Sequence, residues 1–410
     1  MIDLVRNLSA FLKLENACTD NNVFRLHYKL TSLMLIAFSL LVTSKQYFGE
    51  PVDCIPGAPA INRETLNTFC WIHATFTVER HFKGSAGVDI VKPGVATHQE
   101  GKDKLTSQHY YQWVCFVLFL EALFFATPGY LWKAWEGGCI HMLAVDLGSP
   151  VLGNEWNPER KNTIVEYLAD TKLRPFTVYV LRFTFCEILN FINVVLQIIL
   201  LDRFLGGEFA FLGPNFIKYA SSTDFGLKNQ TMPSPLDHMF PKVAKCRMYY
   251  FGTSGGMSKM DSLCILPLNN INDKVFLFLW FWFVALAVVS AVALVYRAIV
   301  LLSVNTRVYL LWAKARLLPR NVAEHLGHSL PVGNWFLLTQ LSKNVNPFVF
   351  VELLIELDRY LTKKTSISAK KSNTGLCLHL PHSLMVEVLI AQVTLEHITP
   401  YVACPLLDSQ

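Results

Sequence analysis

The chain has 410 residues, a formal net charge of +5 and only 16% charged residues, where an ordinary globular domain carries about 25%. Hydrophobic residues make up 52% of it and the mean hydropathy is +0.34, a balance that points to a membrane protein. No basic block is present that would track a phosphate backbone, which argues against nucleic acid as a partner.

The N-terminal stretch MIDLVRNLSAFLKL places Val5, Leu8 and Leu12 at i, i+3 and i+7, with Ile2 beside that stripe. It reads as a short amphipathic helix that either lies on the membrane surface or folds into a pore mouth. Asp3, Arg6, Lys13, Glu15, Asp20, Arg25 and Lys29 interrupt any apolar signal region, so a cytoplasmic N-terminus is expected.

A membrane helix needs roughly 20 mostly apolar residues, and four stretches qualify: 28–46, 110–132, 178–201 and 275–302. The fourth is apolar on every face, which no soluble helix of that length is. The third holds Arg182 and Glu187. Its Leu, Ile, Phe and Val residues contribute about −5 to −10 kcal/mol on the insertion scale, against about +2.5 to +3.5 for a central charge. Arg182 lies near an end and can snorkel. Tyr110, Tyr111 and Trp113 are expected in the aromatic belt of the second span, with Trp132 and Trp135 at its other end. Pro128 either kinks that span or ends it.

Polar residues inside the spans fall on faces. Ser32, Ser39 and Thr43 share one side of the first span. That side is either a small-residue seam for helix packing or a water-contacting wall. Glu187, Asn190, Asn193 and Gln197 share a side of the third, and interhelical hydrogen bonding is favoured there over pore lining. Arg182 is a candidate partner for Glu187 or Glu121.

The connecting segments are 47–109, 133–177 and 202–274, followed by a tail, 303–410. Lys and Arg do not choose a side, because the loops are long. Cysteines do. Cys54 and Cys70 fall in the first loop and Cys246 and Cys264 in the third. Those loops share a face, as expected of disulfides on an oxidising exterior with both termini inside. Four cysteines allow three pairings, and the sequence alone chooses none. Asn229-Gln230-Thr231 is a possible glycosylation site in the third loop. The tail reads as two helices separated near Asn346-Pro347, a basic loop at 363–375 and a further helix or strand around 383–399. With 133–177 it forms a folded cytoplasmic domain.

No phosphate-binding glycine motif, HExxH or catalytic constellation occurs, so no enzyme activity, cofactor or metal is expected. Cys70 with His73, and Cys377 with His379 and His382, lack a second ligand cluster. GTSGG at 252–256 reads as a flexible loop.

The stretch YYQWV (Tyr110, Tyr111, Gln112, Trp113, Val114), running on to Pro128 and then LWKAWEGG at 131–138, resembles the innexins, the gap-junction proteins of invertebrates. FGEPVDC (48–54) and GNWFLLTQLSKNVNPFVFVELLIEL (333–357) are similar to innexin segments too, with Asn334 and Gly129 where many members carry Asp and Arg. The resemblance implies an all-α polytopic membrane protein: a four-transmembrane-helix bundle with disulfide-linked extracellular loops and a mainly helical cytoplasmic domain. It further implies a homo-oligomeric ring of eight in the plasma membrane at cell junctions, docked through the outer loops to the ring of an adjacent cell, with lipid around it and other innexins as potential co-subunits. On this analogy residues 1–27 form a funnel helix. Met1, Ile2, Val5, Ser32, Ser39 and Thr43 line the pore, and the disulfides run Cys54–Cys264 and Cys70–Cys246. Two alternatives keep the four spans: an undocked, pannexin-like hemichannel releasing small metabolites, and a four-span adhesion or scaffold protein. Tetraspanins carry a Cys-Cys-Gly triplet in the large outer loop, absent from 202–274, and connexins carry three cysteines per outer loop rather than two.

Overall fold

The computed structural model describes residues 17–373, apart from 58–60, 84–89, 91, 98, 100, 146, 149–155, 170–175, 223–233 and 253. The expected N-terminal helix, Asn229, Cys377, His379, His382 and the 383–399 element lie outside the described residues.

In chain order the elements are α1 (Asn22–Phe48), β1 (Asp53–Ile55), α2 (Arg63–His73), β2 (Thr75–Val78), β3 (Leu105–Gln108), α3 (Val114–Glu136), α4 (Cys139–Ala144), α5 (Pro158–Ala169), α6 (Thr177–Phe204), α7 (Leu212–Ser222), α8 (Pro235–Met239), β4 (Val243–Phe251), β5 (Met257–Ile265), α9 (Asn269–Leu302), α10 (Val304–Lys314), α11 (Arg320–Ser329), α12 (Val332–Leu341) and α13 (Pro347–Asn373). Four of them, α1, α3, α6 and α9, are long and apolar enough to span a membrane. The first, third and fourth outrun the stretches expected from hydropathy, because polar residues at their ends continue the same helix. The second starts later, since Tyr110–Gln112 forms a 3-10 turn ahead of it. Pro128 sits inside α3, which excludes its reading as a terminus. The basic segment expected as a loop at 363–375 is helical as far as Asn373.

The chain forms two compact units. The first contains Met1–Phe24, Pro128–Ile188 and Val292–Gln410. Its core joins α5 (Ile164, Leu168), α10 (Leu311), α11 (Leu326), α12 (Leu338) and α13 (Val349, Leu353). Every residue of α12 from Gly333 to Leu341 is buried. The backbone of Gly333 runs so close to Phe176 and Thr177 that a Cβ would meet backbone atoms at 2.5 Å.

The second unit contains Arg25–Thr127 and Leu189–Ala291. Its bundle core is aromatic and aliphatic, built around Leu35, Leu118, Phe125, Val194, Phe276 and Phe283. Beside it lies a five-stranded sheet in the order β1-β5-β4-β2-β3, every pairing antiparallel. The helical fold expected from the sequence is thus joined by an outer sheet interleaving strands of both outer loops.

Candidate channel and docking site

The YYQWV motif sits where the second span meets the outer domain. Tyr111 is buried, stacks near Trp71 and donates from its hydroxyl to the Cys70 carbonyl at 3.4 Å. Gln112 donates to the Trp71 carbonyl. Tyr110 is edge-on to Phe240. Val114 is buried and only Trp113, 59% exposed, faces outward. Tyr110 and Tyr111 are therefore not belt residues. Tyr111 fastens the start of α3 to the disulfide-bearing helix α2, because a ring with one polar tip can fill a core and still satisfy a backbone carbonyl. Trp132 is likewise buried, against Tyr179 and Phe183.

Ser32 and Ser39 do not form an open wall. Both are buried, and their hydroxyls donate to the Ala122 and Cys115 carbonyls of α3 at 3.0 and 2.8 Å. Thr43 donates back to the Ser39 carbonyl of its own helix at 2.7 Å. The seam is the small-residue packing that brings two membrane helices close. A side chain enclosed within its own subunit cannot touch pore water, so Ser32 and Ser39 pack against α3 instead of lining a pore. The opposite side of α1 is open: Ala37, Leu41, Ser44, Lys45 and Phe48 are exposed. In α6, by contrast, the exposed residues from Leu181 to Leu200 are all large and apolar.

Near its start α1 opens into a π-helical turn, Leu26–Thr31. Two of its polar side chains bond across to α9. Thr31 donates to the Leu26 carbonyl at 2.7 Å and accepts from the Trp282 indole at 2.9 Å. His27 bonds Ser290 at 2.7 Å. Such turns persist where neighbouring groups compensate the displaced ladder.

Among the described residues Arg182 has no carboxylate partner. Its guanidinium lies over the Trp135 ring at 5.7 Å. Glu187 pairs with Arg297 of α9, at 2.7 and 2.9 Å, and also accepts from Asn21 at 2.7 Å. Arg297 lies over both Phe183 and Phe336. Sequence reasoning missed Arg297, although it is the one charge between 275 and 302 and an intramembrane charge calls for a partner. Asn190, Asn193 and Gln197 are buried, and Gln197 donates to Asn193 within the helix. Glu121 is buried with no hydrogen-bond partner among the described residues.

Two disulfides cross between the outer loops, Cys54–Cys264 and Cys70–Cys246, the pairs that the family resemblance implies. The sheet explains how they meet. Cys54 on β1 lies opposite Cys264 on β5, while the face of α2 carrying Cys70 reaches Cys246 on β4. The β4–β5 ladder runs from Val243↔Ile265 at its root to Phe251↔Met257 at its tip, about 26 Å at ~3.3 Å per residue. Gly255, in the left-handed region at φ +77°, helps turn the chain there, and Gly252 donates to the Gly256 carbonyl at 2.8 Å. The hairpin thus closes across Gly252 and Gly256. Midway, Asp261 faces Arg247 and Lys245 at 2.8 and 3.0 Å. Burial alone would raise its carboxyl, but those hydrogen bonds and charges outweigh burial and hold it down at about 2. At the tip Phe251 is 81% exposed and Met257 75%.

Four membrane helices, two disulfides joining the outer loops and an outer sheet ending in an apolar hairpin define a polytopic channel subunit of the gap-junction class. The innexin family model matches residues 20–361. Innexin inx2 of Schistocerca americana is 44% identical over 364 residues, covering 89% of this chain and 99% of that protein. Innexin inx2 of Drosophila melanogaster is 43% identical, covering 88% and 96%, and Innexin shaking-B of the same fly 37% identical, covering 87% and 94%. The chain belongs to the innexin family. It is a gap-junction channel subunit of the plasma membrane, in a family that forms its channels by oligomerisation.

Proposed function

We propose that eight copies of this chain form a ring whose pore is walled along the first span by the open side of α1, with Ala37, Leu41, Ser44 and Lys45 facing the water. One contrast supports this reading: the exposed residues of α1 include Ala37, Ser44 and Lys45 beside the apolar Leu30, Leu40, Leu41, Tyr47 and Phe48, where those of α6 from Leu181 to Leu200 are all large and apolar. Residues 1–27 would narrow the mouth, with Met1, Ile2 and Val5 at the funnel. The ring docks through its outer loops, the β4–β5 tip reaching the opposing ring, and passes ions and small molecules between cells. The channel role calls for no enzymatic chemistry, cofactor, metal or nucleic acid. Other innexins are candidate co-subunits. Glycosylation at Asn229 would favour an undocked hemichannel.

Single cysteines at 37, 41 and 44, treated with a membrane-impermeant thiol reagent, should reduce hemichannel current, while Ser32→Cys and Ser39→Cys should not react. Reaction at 32 and 39 with silence at 37, 41 and 44 would overturn the assignment. Phe251→Asp with Met257→Asp should abolish currents between paired cells and spare hemichannel current. Unchanged coupling would remove the tip from docking.

A further inference from the structure

The chain turns back on itself as it leaves α6. Gly206 and Gly207, both in the left-handed region at φ +80° and +90°, make the reversal. Asp202 fastens it: its carbonyl accepts from the Gly207 N–H at 2.7 Å and its carboxylate from the Ala210 N–H at 2.8 Å. The returning segment then runs inward along α9. Phe209 is buried, with its ring 6.3 Å from that of Phe276. One residue on, the Ala210 carbonyl accepts from the Trp280 indole at 3.1 Å. At Gly213 the backbone lies so close to the same indole that a Cβ would meet the ring at 2.1 Å. Trp280 comes six residues after Lys274, the last charge before the apolar stretch of α9, which is about 9 Å along the helix. Even with the indole leaning back toward the helix start, this is the depth of roughly 5–10 Å to which interfacial segments sink. At that level Phe211 is 68% exposed. Ile217, 54% exposed, lies four residues from Gly213 on the same side of α7. The exposed Asn215 falls on the other side, about 160° around the helix from Ile217.

An exposed phenylalanine at hydrocarbon depth meets either lipid or a second subunit. The surface around it favours lipid. The exposed residues of α6 from Ile192 to Leu200 and of α9 from Phe278 to Val289 are all apolar, with no counterpart of Ser44 and Lys45 on the open side of α1. We propose that segment 206–217 is seated in the outer leaflet of the membrane, with the Phe211 ring and the Ile217 side chain among the acyl chains of phospholipid. The choice of lipid over a neighbouring subunit rests on the pore reading above, since α6 and α9 face outward when α1 faces the water. Asn215, on the far side of α7, stays at the headgroups. Seated there, the segment ties the third outer loop, which carries Cys246 and Cys264, to the leaflet, so the root of that loop is positioned by the bilayer as well as by the disulfides.

The test uses the full chain in phosphatidylcholine nanodiscs, with a nitroxide attached to Phe211→Cys, Ile217→Cys or Asn215→Cys and the signal of the identically treated native chain subtracted. All three side chains are exposed, so the labels displace no packing. Relaxation by oxygen, which concentrates among acyl chains, is compared with relaxation by a water-soluble nickel chelate. Labels at 211 and 217 should relax severalfold more with oxygen than with nickel, and the label at 215 severalfold more with nickel. That pattern supports the seat. Nickel-dominated relaxation at 211 or 217 means that the side chain stands in water, and slow relaxation by both agents means that a neighbouring subunit covers it. Either result overturns the proposal. An oxygen-dominated label at 215 overturns it too, because a helix lying in the interface keeps one side wet. The readout needs no conductance. Silence of the cysteines at 37, 41 and 44 therefore strikes the pore wall alone, and a missing lipid signature at 211 strikes this seat alone.

Discussion

Removing the Cys70–Cys246 bridge while keeping Cys54–Cys264 tests how the outer domain is held. The paired change Cys70→Ala and Cys246→Ala leaves no stray thiol. The bridges span 210 and 176 residues and are nested, so with the outer one closed the inner one closes a ring of only 34 residues, the difference between the two. In the chain-entropy model a ring of that size corresponds to about 4 kcal/mol. That is a large share of the 5–15 kcal/mol by which a domain is ordinarily stable, and it raises the opened population by roughly three orders of magnitude. Limited proteolysis of the purified protein under native conditions reads that population when opening is fast relative to cleavage. Cleavage within 47–109 and 202–274 should accelerate by at least about a hundredfold, and currents between paired cells should vanish. Acceleration below about tenfold with normal coupling would refute the reasoning. It would mean that the inserted spans already hold the loop roots together and the second bridge constrains little.

The Glu187–Arg297 pair gives a second outcome. Glu187→Leu or Arg297→Met alone strands a buried charge and should cost about 3–5 kcal/mol, while the double change should cost much less than the sum; thermal inactivation in detergent orders the three, and additivity would count against the pairing. Asn334 donates to the Leu168 carbonyl at 2.7 Å while buried, so Asn334→Asp, although it restores the residue common in the family, should cost about 1–3 kcal/mol by losing the donor. An unaltered melting temperature would refute that geometry. Lys314 supplies a pH signature: its ammonium titrates at about 8 in the folded chain against 10.5 ordinarily. Between those values the unfolded chain binds more protons, so stability should rise with pH there, by much less than the full shift would give because the Lys314 side chain is exposed and solvent screens its charge. The rise should be missing from Lys314→Met when the two are measured side by side.

Much of this molecule is legible in its sequence, for reasons of scale. A span of 20 or more apolar residues leaves little choice of structure, and the YYQWV and tail motifs are specific enough to identify the family. What sequence reading missed depends on partners far along the chain. Ser32 and Ser39 show the same periodicity whether they face a neighbouring helix or a pore, and only the Ala122 and Cys115 carbonyls decide it. Arg182 and Arg297 both compete for Glu187 on paper, and the winner is set by the register of α6 against α9. The sheet was within reach. Ala244 and Cys246 alternate with polar neighbours along β4, and GTSGG supplies a turn, the usual hairpin signature, but short strands between long spans are easily read as loop.

The nesting of the two bridges also sets a timetable for biogenesis. Cys54 is made 210 residues before Cys264, which at about 5–20 residues per second is on the order of 10–40 s. During that interval Cys54 and Cys70 are the only thiols of the first loop on the oxidising side, and three of the five strands must wait for the remaining two. A local Cys54–Cys70 bond is the natural misstep, and a cell making this protein needs an isomerase able to undo it once the last span is threaded.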